Sequence, residues 1–411
     1  HATISINASG SLTFESGVRL VSVGELILTN RWKQHGSRGE LCDLRISSGV
    51  LVEALGFLSI LGNHVCVETG ASVVGHQYMT LGTPSYPSHV INVSASVTAT
   101  LGLKVNSGSI ILRSDGKLGV NGSNYGQLTR GSVTYVTSSL VMTVRHAYFE
   151  NSSVYCHHGN LTVVALDNVS LVNNASLGAD NHVLLVSSNV VASRARIFSE
   201  AESLTINSSI ELLNGTNATA TQIFLGCATC QVTTQPFAQL SGKVSPSNVT
   251  VEGINCSLKS RVNASFFSIT DHGNVSVGGN FSFKDPLFPF SVSAAGSLTL
   301  SANLSGFHSV QLVARNVTLA ENLVIQTNAN SCSNGVTHKN DLCDTMTGVK
   351  AESGLSLALH QALLMRKTNL SFDFVIMALE GVEVGKNAIL NTASSFVCAG
   401  GAVKFGSNLS I

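Results

Sequence analysis

Nineteen Asn-x-Ser/Thr sequons are the residues of this 411-residue chain whose types and spacing could do chemistry. The side-chain amide of a sequon Asn accepts an N-linked glycan when a protein passes through the secretory pathway. With this content of Asn, Ser and Thr, random order would give roughly eight sequons, so the excess predicts genuine glycan acceptors. The predicted N-glycosylation sites are Asn7, Asn92, Asn121, Asn151, Asn160, Asn168, Asn174, Asn207, Asn214, Asn217, Asn248, Asn255, Asn263, Asn274, Asn280, Asn303, Asn316, Asn369 and Asn408.

The sequons lie within alternating strand patterns, as the segment His272–Phe283 shows. Its Asn and Ser residues alternate with Val and Phe around Gly278-Gly279, which predicts two short strands, each with a polar and an apolar face. The Asn and the hydroxyl residue of a sequon then share the outer face, and the middle residue points inward. That middle residue is Val, Leu, Phe or Cys in eleven of the nineteen sequons, as a buried strand position requires.

Few other groups could do chemistry, because the acidic residues are scattered. Asp271-His272 and Asp180-Asn181-His182 have the composition of acid–base pairs. Each stands at a predicted turn, where polar residues are expected in any case, and we interpret both as solvated corners. We therefore predict no catalytic residue and a chain that is not an enzyme. Acids from separate coils could still meet in space, so polysaccharide cleavage stays an alternative.

Metal and redox chemistry have weaker signals. His157-His158 beside Cys156 could suggest a metal ion, but no further ligand follows at a suitable spacing. The Cys227-Ala-Thr-Cys230 motif lacks the second half of a zinc site and the βαβ setting of a redox motif. We expect no metal and no cofactor apart from covalent N-linked glycans.

The nine cysteines predict an oxidising compartment, and their odd number leaves at least one free or paired outside this chain. Cys42 and Cys66 are expected to form a disulfide if a coil has about two dozen residues. Cys332 and Cys343 would close a polar loop. Cys227 and Cys230 are expected to be structural, with Cys256 as an alternative partner for either. Cys398, near the end of the sequence, is the candidate for a covalent link between subunits.

Composition excludes several classes of partner and location. The net charge is zero and no basic run occurs, which argues against nucleic acid and anionic membranes. No run of eighteen apolar residues exists, so no membrane span is predicted in this segment. The 11% charged residues are few for a chain that is 44% hydrophobic, and glycans could supply the missing solubility. We expect an extracellular, secreted or cell-surface protein. Because the sequence starts at His1 and shows no signal peptide, we expect residue 1 to follow a processing site or to lie inside a longer precursor.

Repetition at irregular spacing predicts the fold. Near-copies of one phrase, Gly-Ser-Leu-Thr or a variant of it, occur at Gly10, Asn160, Glu202 and Gly296. Short strands with Gly, Ser or Asn corners predict an all-β, right-handed parallel β-helix running as one continuous body over residues 1–411, with about sixteen to twenty coils of roughly twenty to twenty-five residues. An array of β-sandwiches is the alternative. Residues 355–365 are the one ambiguous helical run, and the loops 31–40 and 328–347 are the expected places for protein contacts.

The Gly-Ser-Leu-Thr phrases and the Asn-Val-Ser/Thr strands resemble the coils of pectin-lyase-like right-handed parallel β-helix proteins, and specifically the large surface glycoproteins of that type. The resemblance implies a β-rod in an extracellular setting. The acidic cluster of the catalytic members is not visible here. Three hypotheses follow: a structural glycoprotein of a fibre or cell surface, a carbohydrate-binding adhesin, and a polysaccharide lyase or hydrolase.

Strand patterns continue to both ends of the sequence, from Thr3-Ile4-Ser5-Ile6 to Asn408-Leu409-Ser410-Ile411. A solenoid end without a cap exposes its core and unpaired strand edges. We therefore expect this chain to be a slice of a longer solenoid or to bind itself head to tail in a filament. Other surface glycoproteins or glycans are the further expected partners.

Overall fold

The computed structural model describes residues 3–30, 42–85, 87–122, 126–129, 132–135, 138–242, 247–283, 289–307, 309–327, 374–391 and 395–408. Within these ranges every regular element is a β-strand. The predicted contact loops, the ambiguous run 355–365, the Cys332–Cys343 pair and the Asn369 sequon lie outside them. The described ranges contain no helix that is long and apolar enough to cross a bilayer.

Parallel sheets stack as a β-solenoid of about 14 turns, which confirms the predicted all-β parallel solenoid. The expected sixteen to twenty coils were too many. Some coils contain far more chain than two dozen residues, since Gly102 pairs with Ser139 and Val310 with Phe374 in the next coil. Contacts divide the chain into unit 1 (His1–Ser208 with Gly215–Thr219) and unit 2 (Ser209–Asn214 with Ala220–Ile411). One continuous body over residues 1–411 stays a prediction.

Unit 1 contains a larger and a smaller sheet and a separate antiparallel hairpin. The larger sheet has strands β1 (Thr3–Ala8), β2 (Leu12–Phe14), β4 (Glu25–Asn30), β5 (Leu44–Ile46), β7 (Leu58–Leu61), β8 (His64–Val67), β10 (Tyr78–Leu81), β11 (Ser88–Val93), β13 (Gly102–Leu112), β17 (Ser138–Glu150), β19 (Gly159–Val172) and β21 (Val183–Ser193). The smaller sheet has β3 (Arg19–Ser22), β6 (Leu51–Ala54), β9 (Ser72–Gly75), β12 (Ser96–Ala99), β14 (Lys117–Val120), β18 (Ser153–Cys156), β20 (Ser176–Ala179) and β22 (Arg196–Ser199). The hairpin is β15 (Gly126–Thr129) and β16 (Ser132–Tyr135).

Unit 2 also has strands of a larger sheet, and its other strands belong to two smaller sheets. Strands β23 (Ser203–Leu212) and β24 (Asn217–Ala220) contain residues of both units. Its larger sheet has β25 (Gln222–Gly226), β26 (Val232–Thr234), β28 (Asn248–Gly253), β29 (Ser257–Leu258), β31 (Phe266–Asp271), β32 (Val275–Val277), β34 (Pro289–Ala294), β35 (Ser297–Leu300), β37 (Ser309–Leu319), β39 (Phe374–Val384), β41 (Ser395–Ala399) and β42 (Val403–Phe405). The other strands are β27 (Gln239–Gly242), β30 (Arg261–Ala264), β33 (Asn280–Phe283), β36 (Leu304–Phe307), β38 (Val324–Thr327) and β40 (Ile389–Asn391).

The core consists of apolar side chains stacked in register from coil to coil. One column in unit 1 is fully buried and runs through Leu26, Leu58, Met79, Leu103, Leu140 and Leu161. Burying each such side chain contributes about 1.5–3 kcal/mol, which must offset the entropy of ordering the chain. In unit 2 the register pair Phe267 and Phe290 stacks with ring centroids 5.2 Å apart. Phe307, from a different sheet, packs edge-on with its centroid 5.1 Å from that of Phe290.

Several strands are longer than the three to five residues that the sequence pattern suggested. β10 and β11 both pair with β13. The single long strand β13 therefore lies beside two separate strands of the preceding coil. The two strands predicted around Gly278-Gly279 are confirmed as β32 and β33, and Gly279 has the φ of +106° that glycine adopts freely.

The structure confirms one disulfide prediction and corrects another. Cys42 and Cys66 are bonded across neighbouring coils, with their Cα atoms 5.7 Å apart. Cys227 is bonded to Cys230 within one turn, with a Cα separation of 4.9 Å. The expectation that Cys256 pairs with either is wrong, because Cys256 points into the core as a free thiol. Burial and the side chain of Asp271 raise its pKa.

Two further cysteines, Cys156 and Cys398, lie in strands of the described chain. Cys156 is also a buried free thiol, and burial raises its pKa to about 12. Cys398 lies in β41, and its link between subunits stays a prediction.

Candidate functional site

The candidate sites of modification are the sequon asparagines, and the described side chains among them all reach solvent. Ten are exposed and seven are partly exposed. Asn280 lies in β33. The exposed ones are Asn7, Asn121, Asn151, Asn174, Asn207, Asn214, Asn255, Asn274, Asn303 and Asn408; the partly exposed ones are Asn92, Asn160, Asn168, Asn217, Asn248, Asn263 and Asn316.

The apolar middle residues of the sequons were predicted to be buried, and every one that the structure describes is buried. Nine of the eleven Val, Leu, Phe and Cys middle residues lie in the described ranges, and all nine are in the core. They are Val93, Leu161, Val169, Val249, Cys256, Val275, Phe281, Leu304 and Val317. A strand therefore fixes each of these sequons with its acceptor outward and its middle residue inward.

Several sequon asparagines have a second role, because their carbonyl oxygen accepts a hydrogen bond from a backbone N–H of the next coil. Asn274 Oδ1 lies 2.8 Å from the amide nitrogen of Ser297, and Asn303 Oδ1 lies 2.9 Å from that of Val324. The same geometry recurs at Asn160, Asn214 and Asn255. The oxygen holds two coils together, whereas a glycan would attach to the nitrogen of the same amide.

Asp180 forms the best-developed polar cluster of unit 1, at the corner that follows β20. It accepts hydrogen bonds from the Tyr155 hydroxyl and, at 2.7 Å, from the His158 backbone N–H. The imidazoles of His157 and His158 have a ring nitrogen 4.0 and 3.6 Å from Asp180 Oδ2. Burial alone would raise the pKa of Asp180, but these hydrogen bonds and imidazoles outweigh it and lower the pKa.

Asp271 corrects the interpretation of its turn as a solvated corner. Its side chain is buried and accepts backbone N–H groups from Asn255, Cys256 and Gly273 at 3.1, 2.8 and 2.6 Å. Three donors satisfy a carboxylate that would otherwise be costly to bury. The neighbouring His272 has its Nε2 atom 3.7 Å from Glu252 Oε1 in the adjacent coil. Asp271 therefore organises a corner of the fold.

The three residues that suggested a metal site, Cys156, His157 and His158, point in different directions. Cys156 ends β18 inside the core, whereas His157 and His158 are exposed. Among the described residues, no group of three or more His, Cys, Asp or Glu side chains is placed to hold a metal ion.

Two arrangements depend on coil register and were not predicted from the sequence. His182 Nδ1 lies 2.8 Å from Ser203 Oγ, and its Nε2 contacts the Glu202 carboxylate. All three side chains face solvent, as a surface ion pair does. The recurrence of polar residues about 21 residues apart, at one phase of the coil, is the signal that could have found them.

The second arrangement is a cleft with a volume of about 380 Å³, lined by Arg113, Ser114, Glu150, Asn151, Asn173 and Asn174. We call it the corner cleft. Asn151 and Asn174 are both sequon asparagines, so two predicted glycan acceptors line one cavity.

No protein-family model, curated protein or solved structure matches this chain. The sequons, the corner clusters and the cleft are therefore the features from which function can be argued.

Proposed function

We propose that this chain is a non-catalytic structural glycoprotein, a glycan-coated β-solenoid that builds or projects from an extracellular fibre or cell surface. One observation carries the proposal: sequon asparagines reach solvent along both units while their apolar middle residues fill the core. The same short phrase thus encodes a core strand and a glycan acceptor. The two disulfides fit an oxidising compartment.

Glycans would supply the hydration that the protein surface lacks. Only 11% of the residues are charged, whereas a typical soluble domain has about 25%. Large apolar side chains such as Val23, Leu55, Phe57 and Phe237 are exposed. Sugars attached around such positions would keep copies of the solenoid from associating through them.

End-to-end assembly is the second part of the proposal. Coils stack through parallel strand ladders in both units, such as β1 on β4 and β42 on β39. An unpaired strand edge is a template for another strand, and a head-to-tail contact of this kind propagates as a filament. The proposed pairing partner is a second copy of this chain.

The secreted full-length chain tests this function when its glycans are trimmed by an endoglycosidase. This enzyme leaves one sugar on each Asn and adds no charge. We expect light scattering to show aggregation after trimming and not after treatment with inactivated enzyme, and electron microscopy of the untrimmed protein to show fibres. A trimmed protein that stays monodisperse would contradict the solubilising role, and a stable monomer at all concentrations would contradict the assembly.

Carbohydrate binding is the second candidate, favoured by one strip of unit 1. The strands β3 to β22 of the smaller sheet contain no sequon asparagine, and the partly exposed Tyr155 on this sheet stacks on the buried Phe198 with ring centroids 5.5 Å apart. The Arg196 guanidinium lies 4.1 Å from the Phe198 centroid. Glycan-array binding that Tyr155→Ala abolishes would support this function, and binding to no glycan would argue against it.

A further inference from the structure

The corner cleft forms where three successive coils of unit 1 turn from the larger to the smaller sheet. Ser114, Asn151, Asn173 and Asn174 all have positive φ values, of 51°, 43°, 50° and 68°. Asn is among the few residues that adopt this left-handed conformation readily. The corner residues of consecutive coils therefore lie one above another, about 4.8 Å apart along the stack.

The polar groups of the cleft are held in place by one another. Glu150 Oε1 accepts a hydrogen bond from Asn173 Nδ2 at 3.1 Å, and its Oε2 lies 3.8 Å from Arg113 Nε. The Arg113 guanidinium also lies 5.3 Å from the centroid of the Tyr148 ring. The cleft thus presents a hydrogen-bond donor, Arg113, and an acceptor, Glu150, on its walls. This combination suits an N-acetylated sugar, which has amide and hydroxyl groups of both kinds and no charge.

The two acceptor nitrogens in the cleft differ. Asn151 Nδ2 donates a hydrogen bond to Asp115 Oδ1 at 3.2 Å. Asn174 is exposed, and its backbone N–H donates to the Arg194 carbonyl oxygen at 2.8 Å, whereas its side-chain Nδ2 has no hydrogen-bond partner among the described residues. A glycan on Asn174 would therefore be attached at the wall of the cleft, to a nitrogen whose glycosylation breaks no hydrogen bond of the described residues.

We propose that the corner cleft holds the first sugar of the chain's own N-linked glycan, an N-acetylhexosamine attached to Asn174. This inference rests on the glycosylation in the proposed function. A volume of about 380 Å³ is near the lower end of small-molecule sites, which span about 300–1,000 Å³, and it is enough for one sugar ring. Even weak contacts fill such a site, because a short tether gives an effective concentration in the millimolar range.

A sugar held in the cleft is shielded from enzymes that cut next to it, and this shielding is the measurable consequence. The secreted, folded full-length chain is treated with an endoglycosidase that cuts after the first sugar, and the release at each site is followed by glycopeptide mass spectrometry. We expect release at Asn174 to be about tenfold slower than at Asn274, the ratio that about 1.4 kcal/mol of binding produces. In unfolded, reduced peptides the two rates should be equal.

Asn274 is a suitable reference because it too has a sequon neighbour in the adjacent coil. The side chains of Asn255 and Asn274 are in contact, with Asn274 Nδ2 lying 3.5 Å from Asn255 Oδ1, and both are exposed. Crowding between adjacent glycans is thus present at both pairs. Slow release at Asn174 could come from contacts with the cleft or from crowding by a glycan on Asn151. Ser153→Ala separates these two causes, since it removes the Asn151 sequon and keeps the Asn151 side chain. Slow release at Asn174 should persist in that variant.

Arg113→Ala should make release at Asn174 as fast as at Asn274. The matched control is Arg45→Ala, which removes another half-exposed arginine, paired with Glu68 at 3.1 Å and outside the cleft. That control should leave the slow release unchanged. Equal rates at Asn174 and Asn274 in the folded protein, no glycan on Asn174, or slow release that Ser153→Ala abolishes would each overturn the cleft proposal. Absence of glycans from all sites would instead refute the proposed function.

Discussion

The dual use of the sequon amide can be separated at Asn274, where Asn274→Asp and Asn274→Ala should differ. Both changes abolish the glycan acceptor. Asp keeps an oxygen for the Ser297 N–H, which Asn274 Oδ1 holds at 2.8 Å, whereas Ala leaves that N–H without its partner. A typical hydrogen bond contributes about 0.5–1.5 kcal/mol, so Ala should destabilise the local coil by about 1 kcal/mol and Asp by much less.

Hydrogen exchange at the Ser297 amide is the appropriate assay, since a solenoid can open locally without unfolding as a whole. A loss of about 1 kcal/mol corresponds to exchange about fivefold faster. Ser276→Ala is the control, because it removes the sequon and leaves the Asn274 side chain intact. If Asn274→Asp accelerates exchange as much as Asn274→Ala, or if Ser276→Ala does so, the carbonyl oxygen is not the group that holds the coils together.

Three further outcomes are expected. Cys42→Ala should destabilise unit 1 by about 3 kcal/mol, the cost of opening a loop of this size, and equal denaturation midpoints for variant and parent would contradict this. Folding lowers the pKa of Asp180, so the stabilisation from its carboxylate is complete above the unfolded-state pKa and is lost as the pH falls through the folded-state pKa. Asp180→Asn should therefore reduce the loss of unfolding free energy at acidic pH. An unchanged pH dependence in the variant would argue against this role of Asp180. Gly178→Ala should lower the melting temperature, because the added Cβ atom would lie 2.3 Å from the Phe198 ring. Gly119→Ala, whose Cβ atom would have its nearest contact at 3.5 Å, should be tolerated. Equal changes in melting temperature, measured by calorimetry, would refute the packing argument.

The features that could be predicted from the sequence are those set by strand alternation. Alternation places Val275 and Val277 in the core and Asn274 and Ser276 outside, and a coil of about two dozen residues brings Cys42 to Cys66. These predictions need only the period of a strand and the average length of a coil.

The features that escaped prediction depend on the register of individual coils. Val249 pairs with Phe267 only 18 residues later, whereas Gly102 pairs with Ser139, and no local pattern gives these separations. Register decides that the Asp271 carboxylate meets backbone N–H groups and is buried. It also decides that Asn174 and Arg113, from coils two steps apart, line the same corner cleft.

Intact-glycopeptide mass spectrometry of the secreted full-length chain tests the central claim most directly. The outward placement of the sequon asparagines, with their middle residues fixed in the core, predicts that most of the nineteen sequons carry a glycan. Occupancy of fewer than half of the sequons would contradict the account of this chain as a glycan-coated solenoid.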